Sequence, residues 1–169
     1  MTPAGPDRRT AAGSGVTERL RLRAVDAEDL SVIAACLQDA LIPLAEMAYL
    51  ADERRFMAAF TRFQRERLVD PGRPDGLMQS QSVLVLHDVE AVKFRGLDSR
   101  FSAVRFELLT LIGEPAADGL VHITLLFAGD AAIQLHVKTI AATLEDFGDP
   151  WPATTLPSHD GSPGRPEET

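Results

Sequence analysis

Cysteine is almost missing from this chain: Cys36 is the one thiol in 169 residues. No intramolecular disulfide can form, and neither a disulfide scaffold nor a cysteine-based zinc site is available. Long apolar runs are missing too. None approaches the ~18 residues that a membrane-spanning helix needs, so no membrane span is expected. The first seventeen residues carry Arg8 and Arg9 but lack the apolar stretch of ~7–15 residues that follows such charges in a secretory leader. Cytoplasm is the expected compartment. Basic charge is in deficit, with 17 Lys and Arg against 25 Asp and Glu and a net charge of -8. Binding of nucleic acid over the whole surface leaves a basic footprint and is not expected. Catalytic signatures are scarce as well. Gly129 stands outside any phosphate-loop or Gly-x-Gly-x-x-Gly pattern, and Ser80 and Ser82 have no Gly-x-Ser-x-Gly setting. His87 and Asp88 are adjacent, so on a strand they would project to opposite faces, and a turn suits them better. No catalytic residue, metal or cofactor is assigned, and the question of an enzyme stays open while leaning to no.

What remains is ordinary globular composition, 45% apolar and 25% charged. Residues 1–18 and 152–169 are rich in Pro, Gly, Ser and Thr and read as disordered tails around a single globular domain at 19–151. Asp70 to Gly76 reads as a surface loop. Leu20 to Ala24 alternates apolar with basic residues and suggests a strand. Asp26 then offers an N-cap with Glu28 and Asp29 in the first turn, and Leu30, Ile33, Ala34, Leu37 and Leu41 follow helical spacing. A helix is predicted at about 27–40.

Beyond it the period falls to two. Leu44–Leu50 and Arg54–Phe63 predict strands joined by a turn at Ala51-Asp52-Glu53, with Phe56, Ala58 and Phe60 on one face. Val83–Leu86, Ala91–Phe94 and Ala103–Ile112 predict three more. Val121–Phe127 and Ile133–Val137 form the clearest hairpin. Each has its aliphatic residues at odd positions, so opposed residue numbers must sum to an even value, 258 or 260. His122 and His136 then share one outward face. Ile140, Ala141, Leu144 and Phe147 have helical spacing before Gly148 and Pro150, which predicts a closing helix at about 139–147. The expected class is α+β: a curved antiparallel sheet of about seven strands with an early and a closing helix, like a pleckstrin-homology fold.

The run Asp26-Ala-Glu-Asp-Leu30, then Leu37-Gln-Asp-Ala40, Arg54-Arg-Phe56, Arg62-Phe63, Phe127-Ala-Gly129 and Leu144-Glu-Asp-Phe-Gly148 with Trp151, resembles a bacterial family catalogued only as a domain of unknown function. The resemblance covers about residues 20–151 and rests on the order of the motifs. It departs from the family pattern at Gln64-Arg65-Glu66, where a Trp-Glu pair is expected, and at Gly129-Asp130-Ala131, where a glycine run is expected. What it implies is a cytoplasmic bacterial protein, without an activity.

His122 and His136 present two imidazoles, but without a third Cys, Asp or Glu at ligand spacing the pair falls short of the three or four protein ligands zinc takes. Cys36, within an apolar helix, reads as a buried small hydrophobe. Gln38 and Asp39 end the first helix, where a carboxylate opposes the dipole and calls for a compensating partner, such as an arginine of a neighbouring strand. Charge is also segregated. Arg54 to Arg105 holds ten basic residues against six acidic, a local +4, and the remainder carries -12. Arginine at Arg54, Arg55 and Arg62 suits bidentate contact with carboxylate or phosphate. The leading expectation is a non-catalytic binding or adaptor domain using this arginine-rich strand face, with Gln38 and Asp39 beside it, for an acidic protein or a small anionic ligand. The alternative is a small-molecule-binding protein or enzyme whose site has no recognisable motif. Sequence leaves the oligomeric state unassigned.

Overall fold

The computed structural model describes residues 19–153 except 71, 74, 75, 99, 101 and 102. Both expected tails, apart from residues 152 and 153, lie outside the described residues. Strand β1 (Arg21–Ala24) leads into helix α1 (Ala27–Leu37). The helix starts where its capping residues say it should: Asp26 accepts from the Asp29 amide at 2.8 Å, and the Asp29 carboxylate accepts from the Val25 amide at 3.0 Å. It stops at Leu37, three residues short of the expected end, because Asp39 takes a left-handed backbone with φ 62°. Leu30, Ile33 and Leu37 point into the core.

Nine further strands follow among the described residues: β2 (Leu41–Pro43), β3 (Met47–Leu50), β4 (Arg55–Phe63), β5 (Met78–Leu86), β6 (Val89–Arg95), β7 (Arg105–Pro115), β8 (Val121–Phe127), β9 (Ala132–Val137) and β10 (Ala142–Pro152). All pairings are antiparallel, in the order β1-β10-β5-β4-β2-β7-β8-β9-β6, with β3 also on β4. Strands β5 and β6 stand far apart in that order, yet only His87 and Asp88 join them. The sheet therefore rolls until β6 comes back against β3 and the start of β4, with Val89 N bonded to Arg54 O at 2.9 Å and the Tyr49 hydroxyl donating to Val89 O at 3.2 Å. Phe56, Phe60, Leu84, Leu108, Ile123, Leu135 and Leu144 fill the roll with the inner face of α1. No helix among the described residues is long and apolar enough to cross a membrane.

The closing helix and the α+β class built on it are overturned. Residues 142–152 are strand β10, paired with β1 on one side and β5 on the other, so the fold is mostly β with one α-helix among the described residues, and the pleckstrin-homology likeness goes with the missing helix. The cause is visible in the burial pattern. Ala142, Leu144 and Asp146 face inward on alternate positions, and the charge of Asp146 disguised the period of two. Short β2, three residues ending in a proline, is the other strand that the pattern did not show. The β8–β9 hairpin takes the 258 register, with Val121 opposite Val137 and His122 opposite His136.

Gly113 on β7 sets how closely α1 can approach. A Cβ built there would lie 3.0 Å from Leu30 Cδ2. Gly113→Val is expected to lower stability by about 1–3 kcal/mol through overpacking, and adding Leu30→Ala should make the two losses less than additive. Urea denaturation of the four-variant cycle measures this, and strict additivity would show that the contact does not limit the packing.

Candidate functional site

Three places gather chemistry-bearing side chains. The first lies inside the roll, where inward rungs across β4, β5 and β10 change from apolar to polar along the strands: Phe56, Leu86 and Ala142, then Ala58, Leu84 and Leu144, then Phe60, Ser82 and Asp146, then Arg62 and Ser80. Arg62 continues the parity of Phe56, Ala58 and Phe60 and is fully enclosed, with 0% exposure. Its Nε and one terminal nitrogen grip the Asp146 carboxylate at 2.8 and 2.7 Å. The terminal nitrogens also reach Glu66 at 2.8 and 3.1 Å and Phe63 O at 3.3 Å, and Nε approaches Ser82 Oγ at 3.0 Å. Ser82 donates to Asp146, and Leu20 N does so at 3.3 Å. The guanidinium is thus saturated by its neighbours.

Electrostatics follow from that enclosure. Burial alone would raise the Asp146 carboxyl, but the Arg62 and Ser82 hydrogen bonds and the Arg62 charge outweigh it and hold it below the usual carboxylate range. Burial would likewise lower Arg62, and Asp146 and Glu66 reverse it. The half-buried Cys36 thiol is pushed up, first by burial and then by Glu66, with Arg62 opposing. It is no activated nucleophile. Just outside, a depression of about 420 Å³ is lined by Arg19, Leu20, Arg21, Glu66 and Arg67.

The expected site residues are divided by the fold. Gln38 and Asp39 lie near the Arg62 end of β4. There Arg65, from the 3-10 turn after β4, donates to Gln38 O at 2.9 Å and to the Asp39 carboxylate at 2.6 Å, supplying the cation that the last turn of α1 lacks. Arg54, exposed, and Arg55, half-buried, sit at the opposite end of β4 and pair with Glu90 at 3.4 Å and with Glu53. These arginines do not make one face with Arg62.

The second place is a groove of about 460 Å³ between α1 and β7, lined by Ala27, Ser31, Ala34, Ala35 and Gln38 on one side and by Leu109–Gly113 on the other. Strand β2 pairs with β7 only at Arg105–Glu107, and Leu108 bonds the segment before β2. From Leu109 to Gly113 no described strand pairs with that edge of β7.

The third is a histidine cluster. His122 and His136 stack at 3.8 Å between centroids with planes 10° apart, one half-covered and the other buried. The third ligand missing from the sequence reading is Asp118. It stands four residues before His122 in the β7–β8 turn and reaches His122 Nε2 at 3.0 Å. The signal was the Asp118-Gly119 turn step, which folds the chain back within reach of the strand it introduces.

Fold and clusters together define a rolled antiparallel sheet closed by one helix, with a salt-bridged polar end inside. The chain belongs to the family described as a protein of unknown function (DUF2948), whose model matches residues 20–159. Comparison with the curated proteins and with the solved structures gave no match.

Removing one partner of an enclosed ion pair strands the other charge, so Arg62→Ala should cost about 3–5 kcal/mol. Arg54→Ala should cost less than about 1 kcal/mol, as for an exposed pair. Because the folded Asp146 value is depressed, its stabilisation is complete above the unfolded carboxylate value of about 3.9 and disappears as pH falls through the folded value. Chemical denaturation of wild type and Asp146→Asn across acidic pH should show the stability gap shrinking as pH falls. A gap constant with pH would remove the carboxylate's charge from the account.

Proposed function

We propose that this protein is a non-catalytic binding domain, an adaptor, that takes an extended segment of a partner protein as an added strand on β7. The observation that carries this reading is the unpaired edge at Leu109–Gly113 facing the α1 groove. A strand edge offers unpaired amides and carbonyls in a row, and a partner segment satisfies them while its alternate side chains enter the groove. Small residues on the helix wall, Ser31, Ala34 and Ala35, leave room for those side chains. Leu109 and Ile112, 49% and 40% exposed, favour apolar side chains in the partner. This moves the binding surface away from the arginines, because Arg62 is enclosed and its donors are taken. The cytoplasm is the proposed compartment, where the Cys36 thiol would stay reduced.

A small anionic ligand is the second reading, favoured by Arg19, Arg21 and Arg67 around the smaller depression. A thermal-shift titration with inorganic phosphate and with a tricarboxylate tests it.

Panning a random peptide display library against the protein should yield extended apolar binders whose amide NMR shifts fall on residues 109–113 and on α1. Ala35→Trp, an exposed helix position that fills the groove, should weaken them about tenfold or more, a change of about 1.4 kcal/mol. Arg54→Ala should leave them unchanged. Binders that map elsewhere, or that tolerate Ala35→Trp, would overturn the reading.

A further inference from the structure

A row of side chains crosses the roll near the β7–β8 turn. Glu114 on β7 is opposite His122 on β8, which is opposite His136 on β9, and directly opposed residues project from the same face. The turn adds Asp118 to this row. Its Oδ1 accepts from the Leu120 amide at 2.9 Å, which leaves Oδ2 for His122. The ligand atoms of Asp118, His122 and His136 lie within 4.8 Å of one another, so modest side-chain rotation brings them to the spacing of a shared ion. Two imidazoles and a carboxylate are the donor set of open zinc sites, in which the protein supplies three ligands and leaves a further position for water or a ligand.

We propose that Asp118, His122 and His136 bind one divalent transition-metal ion of the zinc class, with a coordination position open to solvent. Second-sphere support is present. His136 Nε2 meets Gln134 Oε1 at 2.9 Å, and a ring that donates there keeps its lone pair on Nδ1. Asp118 comes from a turn and His136 from β9, so the ion ties the β7–β8 turn to the neighbouring strand and raises the melting temperature.

The test is a calorimetric titration of the full chain, untagged and stripped with chelator, with zinc, repeated with cobalt for its visible absorption. One ion per chain is expected, with a higher melting temperature and NMR shifts at the rings of His122 and His136 but not of His87 or His159. His122→Gln and Asp118→Asn should each weaken binding at least about tenfold, and Gln134→Ala about 10–100-fold, as supporting groups do. Circular dichroism matching wild type establishes that these exposed or half-covered substitutions leave the fold intact. Absence of binding, binding that survives both ligand substitutions, or shifts at His87 or His159 instead would overturn the proposal.

Discussion

The Arg62–Asp146 pair is the constraint on which the interior depends. It joins β4 to β10 across the intervening β5, so three strands are locked in register by one guanidinium. Burying two charges is costly, and the cost is met because the Arg62 donors find acceptors and Asp146 receives Ser82 and Leu20 as well. A shifted register of β10 would bring Glu145 or Phe147 to the place of Asp146 and leave Arg62 buried without its main partner.

Around that lock, the Leu109–Gly113 edge of β7 has no strand partner among the described residues. Helix α1 takes the position beside β7, and Gly113 lets it settle close through Leu30. The result is a sheet edge and a helix separated by a shallow groove, with small residues on one wall and a strand backbone on the other. Arg65 fastens the helix end beside this groove through Gln38 and Asp39, and its guanidinium lies 5.4 Å from the Phe63 ring centre. The turn that follows β4 therefore touches both places, the polar end of the core through Glu66 and the helix end beside the groove through Arg65.

The segments that sequence patterning read correctly have one residue type on each face or a clear cap. Asp26 and Asp29 marked the helix start, the odd-numbered aliphatics of β8 and β9 narrowed their register to two, one of which the hairpin takes, and Ala51-Asp52-Glu53 marked the β3–β4 turn. Misreadings cluster where a charged residue faces inward. Asp146 made a strand look like a helix, and Arg62 looked like a surface ligand although its parity with Phe60 placed it inside. The family resemblance, confirmed across residues 20–159, brought no activity that could have corrected either.

By itself, the sequence determined the local features: capping, turn positions, alternation in clean strands and the shared face of His122 and His136, all of which depend on residues close along the chain or on parity. Only the tertiary structure decided that Asp146 and Arg62, 84 positions apart, neutralise each other inside the roll, that Asp118 swings back to the histidines, and that β7 keeps an open edge beside α1. The reason is physical. Whether a charge can be buried depends on a partner brought from a distant part of the chain, and no local pattern encodes where that partner will be.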